Sequence, residues 1–511
     1  MIDLTVAQIA EIVGGELTDI APDVAARLQV TGTVEFDSRK VTPGGLFLAL
    51  PGARSDGHDH AASAVAAGAV AVLAARPVGV PAIVVTPKAD LQAPTAGVLE
   101  HDADGSGAAV LAALAKLATA VATELAADGL TIVGVTGSSG KTSTKDLLAV
   151  VLDPLGEVIA PPGSFNNELG HPWTVLRATR STDYLVLEMS ARHPGNIAAL
   201  AAIAPPTVGV VLNVGTAHLG EFGSREAIAK TKAELPQAVP SSGVVVLNAD
   251  DPVVAAMAGV TAARVVRVSR AAHTDTGPSE VWAGPVDLDE LARPHFTLHT
   301  RGATVEVQLG VHGEHQVSNA LCAAAVALEC GATLDQVATA LGGAQPISAH
   351  RMQVVTRSDG VTVIDDAYNA NPESMRAGLQ ALAWVARQAG QQRRSWAVLG
   401  EMAELGDDAL TEHDRIGRLA VRLDVSRLVV VGTGRYMSAM HHGAVMEGAR
   451  GSEGDGAATI VADAPAALAL LRDELRSGDV VLVKASNAAG LGKLADALLA
   501  DSADDSRGVR R

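Results

Sequence analysis

Aromatic side chains make up only 2% of the 511 residues. Cores cannot be built around rings and must come from Val, Leu, Ile and Ala, within the 48% of residues that are hydrophobic. Cysteine is nearly missing as well. Cys322 and Cys330 are the only two, and they share one alanine-rich helical pattern. Their spacing carries no zinc or redox motif, and two thiols exclude a disulfide framework, so buried thiols in a reducing compartment are expected. Positive charge is in short supply, with 39 basic against 57 acidic residues and a net charge of −18. A nucleic-acid partner needs a basic footprint, and none is present. Nucleotides are not excluded, because local loops hold phosphates whatever the overall charge. Long apolar runs are lacking too: the stretch 61–75 contains a glycine, stops at Arg76 and is too short to span a membrane. Residues 1–15 lack a basic segment followed by an apolar one, unlike a signal peptide. A cytoplasmic protein without membrane insertion is expected.

What is present suggests about three domains, at roughly 100–200 residues each. Charged residues are 19%, slightly below the usual share. The first hundred residues mix short strands (46–50, 69–73, 82–85) with a helix at 61–67. The stretch 87–107 is rich in Pro, Asp and Gly and marks a first boundary. Helical spacing follows at Val110, Leu111, Leu114, Leu117, Val121 and Leu125. Strands are then expected at 131–135, 184–187, 208–212 and 244–247, with helices between them. Such alternation argues for a mostly parallel, doubly wound sheet. A second boundary lies at 342–346. Beyond it strands at 361–364, 395–399, 427–431 and 480–483 restart the alternation in a second doubly wound domain. The expected division is 1–105, 106–345 and 346–511, with a disordered polar tail from about 501. The fold class is α/β: a small mixed N-terminal domain, a central doubly wound domain and a C-terminal Rossmann-like domain.

One segment carries chemistry by itself. Thr136-Gly137-Ser138-Ser139-Gly140-Lys141-Thr142 joins an expected strand to an expected helix. Glycines let the backbone curl so that successive N–H groups point at an anion, and the helix adds its positive N-terminal end. Lys141 brings a cation to the terminal phosphates, and the Thr142 hydroxyl suits magnesium. The strict Walker spacing fails, because Val135 stands where its first glycine belongs. An ordinary glycine-rich turn is the alternative. Even as a phosphate loop, the segment leaves kinases, ATPases and ligases open.

This spelling resembles the ATP loop of the Mur ligase family, whose pattern is TGxxGKT. Further motifs extend the resemblance over about residues 30 to 495. Phe36-Asp37-Ser38-Arg39, Pro43-Gly44-Gly45-Leu46-Phe47 and Asp56-Gly57-His58 resemble the family's uridine-diphosphate-binding domain, which implies that Ser38 and Arg39 face the nucleotide. Ser164-Phe165-Asn166-Asn167-Glu168-Leu169-Gly170 resembles the substrate loop of the D-alanyl-D-alanine-adding branch, with Asn166 and Asn167 on the precursor. Read without the family, two adjacent Asn residues suggest only a turn.

Leu187-Glu188-Met189-Ser190 ends a strand with a carboxylate, and strand ends are where ligands bind in open α/β sheets. The resemblance makes Glu188 a magnesium ligand and His218, in Asn213-Val214-Gly215-Thr216-Ala217-His218, a second one. Ser190 stands where the branch usually has glycine and is grouped with the substrate contacts. Ile228-Ala229-Lys230-Thr231-Lys232 carries two lysines on one short helix. The family carbamylates a lysine here, giving magnesium a further ligand. Lys232 aligns with it, and Lys230 stays open as a competitor.

Gly313-Glu314-His315-Gln316-Val317-Ser318-Asn319-Ala320 resembles the family's GxHxxxNA pattern, which implies that Asn319 contacts adenine. Arg351 falls in a hinge-like stretch and is implied to reach ATP phosphates. In Asp365-Asp366-Ala367-Tyr368-Asn369-Ala370-Asn371-Pro372 the resemblance assigns Asp365 to ribose, and Asn369 and Asn371 to the base or phosphates. A capped helix start explains the same residues. The segment 400–406, with His413 and Gly417, resembles the D-alanyl-D-alanine-adding branch, and no DNPR-type motif of the diaminopimelate-adding branch occurs. Val483-Lys484-Ala485-Ser486-Asn487 resembles the family's VKGSR with two changes, so only Lys484 and Ser486 carry over.

The implied reaction is ATP- and magnesium-dependent ligation of D-alanyl-D-alanine to UDP-N-acetylmuramoyl-tripeptide through an acyl phosphate. Its products are the UDP-linked pentapeptide of peptidoglycan synthesis, ADP and phosphate, and the implied enzyme is a monomer. Two rivals remain: the same chemistry with another amino acid, and a nucleotide-dependent regulatory protein on the same fold.

Overall fold

The computed structural model describes residues 1–87, 99–215, 219–275, 277–388, 393–449 and 456–508. Three main sheets carry the chain. The first has five strands, ordered Glu16–Thr18, Ala82–Val84, Ala69–Ala74, Gly45–Leu48 and Val34–Glu35. All but its first pairing are parallel. The third has six, ordered Gln353–Thr356, Thr362–Asp365, Val480–Lys484, Ser395–Leu399, Arg427–Val431 and Ala457–Val461. It too is parallel except at Gln353–Thr356.

The central sheet has ten strands. At its heart Thr131–Thr136 lies between Thr182–Glu188 on one side and Val208–Val211 on the other, all parallel. Strand order reverses here, so the C-terminal ends of these three strands open a crevice. The strands are apolar end to end because helices cover both faces. Lys141–Leu152 and the alanine-rich Gln316–Glu329 pack together on one face, with Val133, Leu148, Val210, Val246 and Ala320–Ala327 in one core. Alanine permits this close approach. On that helix Cys322 is fully buried and Cys330 partly so, both free. Burial pushes their thiols up to about 12 and about 11, so they stay protonated.

Helix Ser106–Ala127 is long and apolar enough to cross a membrane by composition alone. Val110, Leu114, Leu117, Val121 and Leu125 instead bury one face against Val6, Ile9, Leu185 and Leu200. It ties the N-terminal elements to the central sheet.

Two expectations differ from the structure. The central sheet continues past its parallel part into antiparallel strands Pro294–Thr300 and Thr304–Gln308, which strand–helix alternation did not foretell. Pro294–Thr300 alternates buried and exposed residues, with Phe296 and Leu298 covered by Gln316–Glu329. One-sided burial of this kind is what antiparallel strands tolerate. The tail expected to be disordered past 501 continues as helix Gly492–Gly508. Nothing between Gly492 and Gly508 is Gly or Pro, and Ala and Leu favour helix there.

A buried histidine stands just behind the crevice. His171, on helix Gly170–Val175, is fully buried, and neither ring nitrogen has a hydrogen-bond partner among the described residues. Desolvation pushes its pKa from 6.5 down to about 4, with the backbone at Glu188 and Leu200 opposing in part. The unfolded chain therefore binds this proton first on acidification. The stability His171 contributes is present above 6.5 and is lost as pH falls towards 4. Between pH 7.5 and 5 the loss is on the order of 2 kcal/mol. Urea unfolding of the parent and His171→Leu at both pH values checks this: the variant's pH dependence should be flatter by that amount.

Candidate active site

The three strand ends and the hinge after residue 343 enclose a cleft of about 1470 Å³. That is larger than the roughly 300–1,000 Å³ of a typical small-molecule site and leaves room for more than one substrate.

Its floor is the 136–142 loop. Gly140 has φ 81°, and a Cβ there would lie 2.5 Å from Asn319 Oδ1, so both conformation and space demand glycine. The next strand end braces the loop from the side. Ser138 N–H donates to the Asn213 carbonyl (3.1 Å), and Ser139 N–H to Asn213 Oδ1 (2.9 Å). Gly215 N–H donates to Ser138 Oγ at 2.9 Å. Lys141 Nζ folds back to the Gly137 carbonyl at 2.8 Å. Burial lowers its pKa, Glu188 opposes this, and Arg351 adds to it.

Glu188 is buried at the end of its strand and gathers donors. Thr142 Oγ1 donates to Oε2 at 3.0 Å. Ser164 Oγ and Asn166 Nδ2 donate to Oε1 at 3.0 and 2.6 Å. Ser190 Oγ donates to Asn166 Oδ1 at 2.9 Å and to the Asn166 carbonyl at 3.1 Å. The Ser190 hydroxyl thus holds the 164–170 loop. Asn167 lines the cleft, and its Oδ1 accepts the Gly170 N–H at 2.9 Å at the start of the next helix.

The two lysines of helix Arg225–Lys232 separate cleanly. Lys230 is exposed and Lys232 is buried. Desolvation drives the Lys232 pKa well below its ordinary value, and the Lys141 charge lowers it further. His218 lies outside the described residues.

The C-terminal domain closes the cleft. Arg351 Nη2 donates to Thr142 Oγ1 at 3.1 Å, and its guanidinium stacks on Tyr368 at 4.0 Å. Asn319 lines the wall, its Nδ2 donating to Gln316 Oε1 at 2.8 Å. Asn369 and Asn371 line it too. Asn371 caps helix Pro372–Ala386, accepting the Ser374 N–H at 2.8 Å, so the capped-start reading holds alongside the cleft position. Lys484 Nζ is buried on Asp366 and donates to the Asn369 carbonyl at 3.0 Å. Ser486 Oγ donates to the Glu401 carbonyl and accepts the Ala403 N–H, each at 2.7 Å, fixing the 400–406 loop. His413 accepts the Met402 N–H at 2.9 Å behind that loop. A Cβ on Gly417 would meet the Met440 carbonyl at 1.8 Å. These two residues of the branch motif hold structure together.

Some assigned residues fall elsewhere. Asp365, expected at the ribose, does not line the cleft; its carboxylate faces His350 Nδ1 at 2.7 Å. Successive residues at a strand end point to opposite sides, so Asp366 is the one that lines the cleft. Ser38 and Arg39 do not line it either. Arg39 is exposed and clasps Asp37 through two bonds of 2.9 and 2.8 Å, which hold the Asp37 carboxyl down at about 2. Their neighbour Phe36 nevertheless touches the site's framework, packing on Phe165 and Trp173 at 6.2 and 5.7 Å between ring centroids. Arg192, Glu404 and Asn487 line the cleft without having been assigned. Arg192 Nη2 donates to Glu404 Oε1 at 3.1 Å across the domain gap, a pairing that no local sequence signal foretells.

Three family descriptions match in order: "Mur ligase family, catalytic domain" over residues 32–119, "Mur ligase middle domain" over 135–327, and "Mur ligase, glutamate ligase domain" over 350–487. The chain is 78% identical to UDP-N-acetylmuramoyl-tripeptide--D-alanyl-D-alanine ligase of Mycobacterium tuberculosis (strain ATCC 25618 / H37Rv), covering 98% of both chains. Among solved structures it is similar to MurF from Acinetobacter baumannii, with TM-score 0.77, 29% identity and coverage of 97% and 99%. It is also similar to MurF ligase from Thermotoga maritima in complex with ADP, with TM-score 0.71, 27% identity and coverage of 93% and 99%.

Proposed function

The chain belongs to the Mur ligase family, and from that membership we infer that it joins D-alanyl-D-alanine to UDP-N-acetylmuramoyl-tripeptide at the expense of ATP. It is an ATP-dependent peptide ligase of peptidoglycan synthesis. The observation that carries the site assignment is the meeting of Thr142, Glu188 and Arg351 above the phosphate loop, beside a buried Lys232.

A carboxylate is a poor acyl donor. ATP phosphorylates the tripeptide's terminal carboxylate, and the amine of D-alanyl-D-alanine then attacks the acyl phosphate and displaces phosphate. In the first step two anions approach. Lys141 and the positive N-terminal end of helix Lys141–Leu152 offset that repulsion around the transferring phosphoryl. Arg351 adds a planar cation from the C-terminal domain, so domain closure completes the charge set. Asn319, Asn369, Asn371 and Asp366 border the nucleotide, and Asn166 and Asn167 border the precursor.

The oxygens around Glu188 fit a hard divalent cation, since Thr142, Ser164 and the carboxylate itself converge within hydrogen-bonding distance. Thr142, Glu188, His218 and a carbamylated Lys232 are the residues that hold magnesium in this reading. When bound, the ion neutralises phosphate charge. Burial and the neighbouring Lys141 support Lys232 over the exposed Lys230.

The 1–105 region takes the UDP end, with Ser38 and Arg39 at the nucleotide; 106–345 binds ATP; and 346–511 closes over both. The net charge of −18 supports small-molecule partners over nucleic acid. A cytoplasmic monomer without membrane insertion is the state proposed.

The test is ADP release with UDP-tripeptide present, with and without D-alanyl-D-alanine. Release that depends on the dipeptide is expected. Release driven by a single amino acid instead would move the chain to another branch, and none at all would make it a nucleotide-dependent regulator.

A further inference from the structure

Arg351 sits between two non-glycine residues in the left-handed region, His350 at φ 59° and Met352 at φ 48°. Such a pair persists only where the surroundings over-determine it. Here they do. His350 Nδ1 donates to Asp365 Oδ2 at 2.7 Å, and that carboxylate is buried. The Tyr368 N–H donates to the His350 carbonyl at 3.1 Å, and the Met352 N–H to Asp366 Oδ1 at 3.2 Å. Gly492 packs on the His350 ring so closely that a Cβ there would lie 3.0 Å from Nε2. On the other side of the hinge, Ser348 is tied to Asp146 of the phosphate-loop helix through its N–H and its hydroxyl, both at 3.1 Å. Between these anchors the chain runs so that it delivers the Arg351 guanidinium to Thr142.

We propose that His350, anchored by Asp365, is a positioning residue for ligation: it fixes the left-handed turn that carries Arg351 across the hinge to the phosphate loop. The proposal rests on the reading of Arg351 as a phosphate-side group. It also gives Asp365 a task, that of holding the His350 ring. His350 touches no substrate in this role and acts only through Arg351.

A double-mutant cycle isolates that dependence. His350→Gly removes the ring and leaves the left-handed backbone freely accessible. It is compared with the parent, with Arg351→Ala and with the double variant in the full-length enzyme, measuring kcat and KM for ATP and for UDP-tripeptide. Thermal melts confirm folding. His350→Gly should lower kcat by about 10- to 100-fold, as a misplacement of roughly 1 Å does, with KM for UDP-tripeptide unchanged. In the Arg351→Ala background it should cost nothing further. Parental turnover in His350→Gly, or an equal additional loss in the Arg351→Ala background, overturns the proposal. Full activity of Arg351→Ala itself would instead overturn the reading of Arg351, and the proposal with it. Should His350→Gly not fold, His350→Asn replaces it in the same cycle, because asparagine also tolerates this backbone.

Discussion

Replacing Lys141 by alanine will lower turnover by roughly a thousandfold or more, on the scale of losing one preorganised electrostatic contact to a developing charge. The fold will survive. Lys141 Nζ makes its hydrogen bond to the Gly137 carbonyl of its own loop and bridges no distant element. Its depressed pKa means that the folded protein holds this cation at a cost, offset in part by Glu188. Removing it relieves desolvation and repulsion from Arg351, so the melting temperature should stay at or slightly above that of the parent. ADP release and a thermal melt on the same preparation decide the matter. Near-normal turnover would sink the assignment of the 136–142 loop as the ATP cradle, whatever the family resemblance.

The second large effect is expected at Lys232. Lys232 is buried beside the Lys141 charge, an unstable arrangement unless one of the two changes charge. Desolvation above all, and then the Lys141 charge, hold the Lys232 pKa well below the usual lysine range, which favours the neutral amine. A neutral amine can attack the carbon of carbon dioxide. A nitrogen–carbon bond forms, one proton is released, and the product is a carbamate anion. Repulsion from Lys141 then becomes attraction. Lys232→Ala should lower turnover by roughly a hundredfold or more, in line with losing a group that organises charge at the phosphoryl. Formate or acetate should restore much of it by supplying the missing carboxylate. Lys230→Ala, on the exposed side of the same helix, should change little. Absence of rescue, with a folded variant, would leave Lys232 a merely structural lysine.

Much of this was legible along the chain. The strand at Thr131–Thr136, the helix Lys141–Leu152 and the strands Ser395–Leu399 and Arg427–Val431 are apolar runs whose length and punctuation leave little choice. The phosphate loop reads directly because its function needs consecutive residues. The antiparallel strands between 281 and 308 were not legible, since short half-exposed runs with turn residues look like loops until a helix covers one face. Asp365 and Asp366 were indistinguishable for a related reason. Both carboxylates of the Asp365-Asp366 pair fit a nucleotide by chemistry, and only the direction each side chain takes at the strand end tells them apart. Ser190 looked like a departure from the branch, and the structure gives its hydroxyl the work of orienting Asn166.

The amino-acid order alone determined the class of fold, the phosphate-binding loop and the list of chemically able residues, because backbone propensity, hydrophobic period and a contiguous anion cradle are all local properties. Tertiary structure decided which of these groups meet. It set Lys232 inward and Lys230 outward, brought Arg351 to Thr142 across 209 positions of chain, and paired Arg192 with Glu404 over 212. Electrostatic coupling and desolvation depend on distance in space and on the exclusion of water. Neither can be read from positions hundreds of residues apart until the chain has folded between them.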